Sequence, residues 1–190
     1  MNTTRRITAT ALATAALVAP SALAATAVAA PDKPTKPAKT VEAQTKQLLK
    51  DIAGKDKRLE RLSTSTAVEA LADDTETEVV GNVTDARTAL AELRTSVEAA
   101  DSTVDTRAAR KELRAFRVEN FRIVVSIVKK VEGLEEAAAA DPEAVTHLAA
   151  AEAAALEITA TSTKADLRAA REHLKAAQAA LEGETEAGTA

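Results

Sequence analysis

The chain has no cysteine, no tryptophan and no tyrosine, and only two phenylalanines and one methionine among its 190 residues. Each gap removes a class of structure or chemistry. Without cysteine there is no disulfide staple, thiolate metal site, thiol nucleophile or lipidated anchor. Without Trp or Tyr there are none of the amphipathic aromatic platforms on which sugar rings and bases stack. Five glycines and five prolines leave few punctuation points, so long uninterrupted elements are expected. Acidic residues outnumber basic ones 29 to 25, a formal charge of −4. That balance opposes binding to nucleic acid and disfavours anionic lipid. Beyond residue 30 no apolar run approaches the ~20 residues a membrane-spanning helix needs.

What is present begins with an expected export signal over residues 1–29. Arg5-Arg6 form a positive start, Ala9 to Ala19 an apolar stretch, and Pro20 ends it. Ala27-Val28-Ala29 suits cleavage after Ala29, and Ala22-Leu23-Ala24 is the competing site after Ala24. The twin arginines lack the hydrophobic pair expected after them for export of folded proteins, so general secretion is the expectation. Loss of this segment removes Arg5 and Arg6 and makes the remainder more acidic. Residues 30–40, with Pro31, Pro34, Pro37 and three lysines, read as an extended leader.

From residue 41 to 182 the apolar residues recur at three and four, the spacing that puts them on one face of a helix. Val41, Thr45, Leu48, Ile52, Lys55, Leu59 and Leu62 mark the first helix, with two polar breaks and Gly54 in its middle. Thr66 and Glu69 match a capping box. Val68, Ala72, Thr75, Val79, Val83, Ala86, Leu90, Leu93 and Val97 continue one stripe, with continuity preferred over a break near Asp73-Asp74. The third helix is expected to run unbroken through Arg110–Glu136. Its stripe is Leu113, Phe116, Asn120, Val124, Ile127, Val131 and Leu134, widened by Phe121 and Val128, with Arg114, Arg117, Arg122, Lys129 and Lys130 mainly elsewhere on the wheel. Ile123 to Val128 alone would pass for a buried strand, but the period and length favour helix. Asp141-Pro142-Glu143 is a helix start, followed by Ala144, Leu148, Ala151, Ala155 and Ile158. Leu167, Ala170, Leu174, Ala177 and Leu181 mark the last helix, and residues 183–190 read as a disordered tail without a cell-wall sorting signal.

A segment repeats. Ser102, Asp105, Arg107, Ala108, Ala109, Arg110, Leu113 and Ala115 recur 61 positions later as Thr163, Asp166, Arg168, Ala169, Ala170, Arg171, Leu174 and Ala176. Each copy opens with a hydroxyl three residues before an aspartate, the same helix-start chemistry twice. The expected fold is therefore all-α: an antiparallel bundle of about five helices, two helical hairpins plus an N-terminal helix. Alanine-rich seams bury little area per residue, so Phe116 to Leu134 should supply a disproportionate share of stability.

Few residues suggest chemistry. A buried Asn82–Asn120 pair would fix hairpin register; the plainer expectation puts Asn82 in water and Asn120 in a local bond. Gly81 would make room for Phe121 or lie near Arg122. His147 and His173, the only histidines, are each 13 residues from a turn near Ala160, so they would face one another across the last two helices, beside Glu143 and Glu172. No His-Glu-x-x-His spacing supports a metal, and exposed histidines are the expectation. Carboxylates at Asp73-Asp74, Glu76, Glu78, Glu135-Glu136 and across Glu182–Glu186 read as solvated charge rather than a glycosidase pair. There is no Gly-x-Ser-x-Gly elbow or phosphate loop. No catalytic, cofactor-binding or metal residue is assigned, and no cofactor is expected.

The arginine-bearing, alanine- and threonine-rich signal, the Pro-Lys leader and the alanine-rich heptads together resemble the alanine-rich secreted helical proteins of high-GC Gram-positive bacteria. The layout implies a non-enzymatic scaffold or interaction module outside the cell or at its envelope, with a protein or envelope partner. The alternative is a lipid-binding bundle whose third helix opens to present Phe116, Phe121, Ile123, Val124, Ile127 and Val128 to a membrane surface. A seam left uncovered in the monomer would serve a second copy of the chain.

Overall fold

The computed structural model describes residues 40–187, with side chains to Gly183. The expected signal segment, all but the last residue of the leader, and residues 188–190 lie outside the described residues. Seven helical segments follow in order: α1 (Val41–Ser63), α2 (Thr66–Glu69), α3 (Asp73–Glu98), α4 (Thr103–Ala115), α5 (Glu119–Ala138), α6 (Pro142–Leu156) and α7 (Lys164–Ala187). The chain is an all-α bundle, with no strand among the described residues. All five expected helical stretches are present, and two of them are interrupted.

The first interruption separates α2 from α3, where continuity was expected. The backbone amide of Ala72 leaves the helical ladder and donates to Glu132 Oε1 of α5 at 2.8 Å. Asp73, Asp74 and Glu76 then fall in the first turn of α3, where the helix dipole favours negative charge. The bend seats Val68 and Leu71 in the core. The expected Thr66–Glu69 capping box does not form. Ser65 takes the N-cap position without a side-chain cap, and its hydroxyl bonds the Leu62 carbonyl instead.

The second interruption breaks the helix expected to run through Arg110–Glu136. At 100° per residue, Phe116 and Val118 would stand about 200° apart on an unbroken helix and could not share one core. Phe116 is instead extended (φ −74°, ψ 110°), and both side chains are buried. The break is bonded from two other elements. Arg117 N–H donates to the Ala160 carbonyl at 2.6 Å, and the Lys55 ammonium donates to the Phe116 carbonyl. Ile123 to Val128 is helical, within α5.

Two apolar clusters result. One gathers Leu48, Ile52 and Leu59 of α1, Val83 to Val97 of α3, Ala109 and Leu113 of α4, and both phenylalanines. The other gathers Val124 to Val131 of α5 with Ala144, Leu148, Ala151 and Ala155 of α6 and Leu167, Ala170, Leu174 and Ala177 of α7. Around these clusters the helices pack in two groups, α1, α3 and α4 about the first and α5, α6 and α7 about the second. The repeated segment opens the last helix of each. Both copies cap as expected: Ser102 and Asp105 bond reciprocally, and Thr163 N–H donates to Asp166 at 2.7 Å.

Helix α3, 26 residues and about 39 Å long, serves both groups. Val79 belongs to the second cluster, and Val83, one turn on, to the first. Helix α5 does the same, with Phe121 in the first and Val124 in the second. Asp141 caps α6 through Glu143 N–H at 2.9 Å, behind Pro142 at its start. Helix α7 continues to Ala187, so the helical part passes the expected 182/183 boundary.

Candidate functional site

The polar residues that looked most informative hold the connection between α6 and α7. Asn82 and Asn120 do not pair. Asn82 Nδ2 donates to the Leu156 carbonyl at 2.8 Å, and Asn120 Nδ2 donates to the carbonyls of Thr159 (2.8 Å) and Ser162 (3.1 Å). Asn82 thus satisfies a carbonyl left open at the end of α6, and Asn120 ties down the turn that follows it. Ser162 Oγ accepts from Thr159 N–H at 2.9 Å and closes the turn from within. Gly81 is exposed, with nothing within 4 Å of where a Cβ would stand, so it does not make room for Phe121. A cleft of about 250 Å³ lies nearby, lined by Asn82, Ala86, Phe116, Phe121, Ala160 and Thr161 among others.

Lys55, one of the polar breaks in the α1 stripe, points into the α4–α5 junction. Its ammonium stands 5.8 Å from the Phe116 ring centroid, a cation–π distance. Burial, the largest influence, holds its pKa below the ordinary lysine value. Glu119 acts upward, Arg58 downward and Asp51 upward. Thr45, the other break, has a buried hydroxyl with no hydrogen-bond partner among the described residues.

His147 and His173 meet across α6 and α7, their ring centroids 6.2 Å apart and their planes inclined by 33°. Both are half-buried rather than exposed. Glu143 Oε1 lies 3.9 Å from His147 Nε2, one turn away. Among the described residues, no group of three or more His, Cys, Asp or Glu side chains is placed to hold a metal ion. Several carboxylates have structural duties: Asp73, Asp74 and Glu76 at the start of α3, Glu132 on Ala72, and Glu152 accepting from Thr75 Oγ1 at 3.1 Å.

The outer face of α5 was not singled out by sequence, and it carries the most distinctive surface. A groove of about 570 Å³ runs between the end of α1 and α5, lined by Arg58, Arg61, Leu62, Ser65, Ala67, Val118, Glu119, Arg122, Val125, Ser126 and Lys129. A second, of about 450 Å³, lies on the other side of Arg122 and Ser126, bounded by Ile123, Ile127, Lys130, Arg171, Leu174, Lys175 and Gln178. Arg58 is engaged by Glu119 at 3.1 Å. Arg61, Arg122, Lys129, Lys130, Arg171 and Lys175 are exposed and, among the described residues, paired with no carboxylate. Six uncompensated cations thus surround one helix of a net acidic chain. The wheel position of Arg122, Lys129 and Lys130 is visible in sequence. Their convergence with residues of α1 and α7, 61 positions before and 49 after Arg122, is not.

The side chains named for the lipid-binding alternative lie inward: Phe116, Phe121, Val124, Ile127 and Val128 are buried and Ile123 half-buried. Among the described residues no helix is long and apolar enough to cross a membrane. Comparison with family models, curated proteins and solved structures finds no match to the chain.

Proposed function

We propose that the chain is a secreted, non-enzymatic helical-bundle protein that acts outside the cell or at its envelope as a scaffold or partner-binding module. The observation that carries this reading is the basic, grooved outer face of α5. Unpaired charges of one sign on an oppositely charged chain repel one another, and a partner of opposite charge relieves that repulsion. The buried polar residues Thr75, Thr106, Asn120 and Asp141 bond helix ends or neighbouring helices, which favours a frame built to hold a surface. The export signal expected over residues 1–29 supports the location.

A second reading, attachment to an anionic lipid surface, draws on the same cations. Chemical crosslinking in intact cells, followed by capture of the chain and mass spectrometry, separates the two when combined with liposome flotation. A reproducible protein adduct with recovery only in the soluble fraction supports the module. Retention by liposomes without a protein adduct supports the lipid reading, and absence of both removes each.

A further inference from the structure

Resting on that reading, we infer that the groove between α1 and α5 is the docking site for an acidic amphipathic helix of a partner protein. Its floor is apolar, from Leu62, Val118 and Val125, and its rim is net cationic, with Arg61, Arg122 and Lys129 beside the Arg58–Glu119 ion pair. A ligand matched to it must bring apolar groups and carboxylates together. Along α5 the groove extends from Val118 to Lys129, a rise of about 16 Å, or three helical turns. That length takes the side chains of one helical stripe at i, i+4, i+7 and i+11, the usual anchors of a helix laid in a groove. A flexible polyanion would use the rim and leave the floor empty. A bilayer surface would meet the cations of both grooves together, including Arg171 and Lys175. A helix seated in the first groove leaves those two untouched.

This difference sets the experiment. The probe is a synthetic peptide of about fifteen residues with leucines at the four stripe positions, glutamates flanking the stripe and alanines elsewhere, its helicity checked by circular dichroism. Controls are the same composition scrambled, inorganic polyphosphate, and vesicles of phosphatidylcholine with phosphatidylglycerol. Binding is followed by calorimetry on residues 30–190 and on two double variants of equal charge change, R61E/K129E and R171E/K175E. All four positions are exposed, and circular dichroism checks that each variant keeps its helicity. The striped peptide should bind, should weaken about tenfold in R61E/K129E, and should change less than about twofold in R171E/K175E. Scrambling should weaken it by about tenfold or more. Equal losses in the two variants, equal binding of the scrambled peptide, binding only to polyphosphate or vesicles, or no binding of the striped peptide would each overturn the docking site. A cellular crosslink through another face, together with any of those results, refutes the groove and leaves the interaction module standing.

Discussion

Single side chains decide how tightly the two groups are joined, and the sharpest case is Asn120. It is 2% exposed, and its amide serves two carbonyls of the α6–α7 connection. Asn120→Ala would remove the side-chain donor from the Ser162 carbonyl and leave the Thr159 carbonyl only the 3.3 Å bond from Ser162 N–H, at a cost of about 1–3 kcal/mol, measured by urea denaturation. Asn120→Asp should cost more, because a carboxylate would face two carbonyl oxygens. In either variant, hydrogen exchange should accelerate first over residues 157–163. Thr45 runs the other way. Its buried hydroxyl lacks a partner among the described residues, so Thr45→Val should raise stability by about 1 kcal/mol, and a loss in the same assay would show that the hydroxyl is satisfied in solution. Asp105 gives a pH signature. Hydrogen bonding from the Ser102 side chain, the largest influence, holds its pKa below the ordinary value, with lesser help from backbone amides. A depressed folded pKa adds stability above the unfolded value of about 3.9, and that stability is lost as pH falls through the folded value. Asp105→Asn should therefore destabilise the chain at neutral pH, and the gap to wild type should close as the pH drops below about 4.

At the scale of elements, large residues on α5 meet small ones on α6 and α7. Val124, Ile127, Val128 and Val131 are buried against a cluster in which Ala144, Ala151, Ala155, Ala170 and Ala177 have no exposed surface. Ile127→Ala should cost about 2–5 kcal/mol through the cavity it leaves. Ala170→Leu should cost about 1–3 kcal/mol by forcing α7 away. Equal stability of either variant with wild type would contradict this packing. The stripes behind these contacts were legible in sequence, because spacing by three and four records the inward face of a helix wherever it packs. So were the caps at Ser102, Asp141 and Thr163, which depend on residues within three positions. The breaks at 70–72 and 116–118 were not legible. Neither contains glycine or proline, and each amide released from its helix is satisfied from far along the chain, by Glu132 or Ala160. Val118, off the stripe yet buried, was the one local sign. The Asn82–Asn120 pair failed for the same reason: heights counted along a straight hairpin do not survive the break at Phe116. The basic grooves depend on which helices become neighbours, so residues of α1, α5 and α7 could not be joined beforehand.

For the whole molecule, helices α3 and α5 each contribute to both apolar clusters, so neither cluster can melt without stripping a helix from the other. The α6–α7 connection adds a second tie, since Asn82 of α3, Arg117 beside the break and Asn120 of α5 all bond to it. This coupling keeps α5 in place with its apolar side in both cores and its cations outward. The docking groove proposed between α1 and α5 needs that fixed geometry, because a groove between independently moving groups would have no constant width. Differential scanning calorimetry on residues 30–190 tests this coupling most directly. The prediction is a single transition whose calorimetric and van't Hoff enthalpies agree, shifted as one peak by Asn120→Ala. Two resolved transitions, with Asn120→Ala moving only one of them, would contradict it.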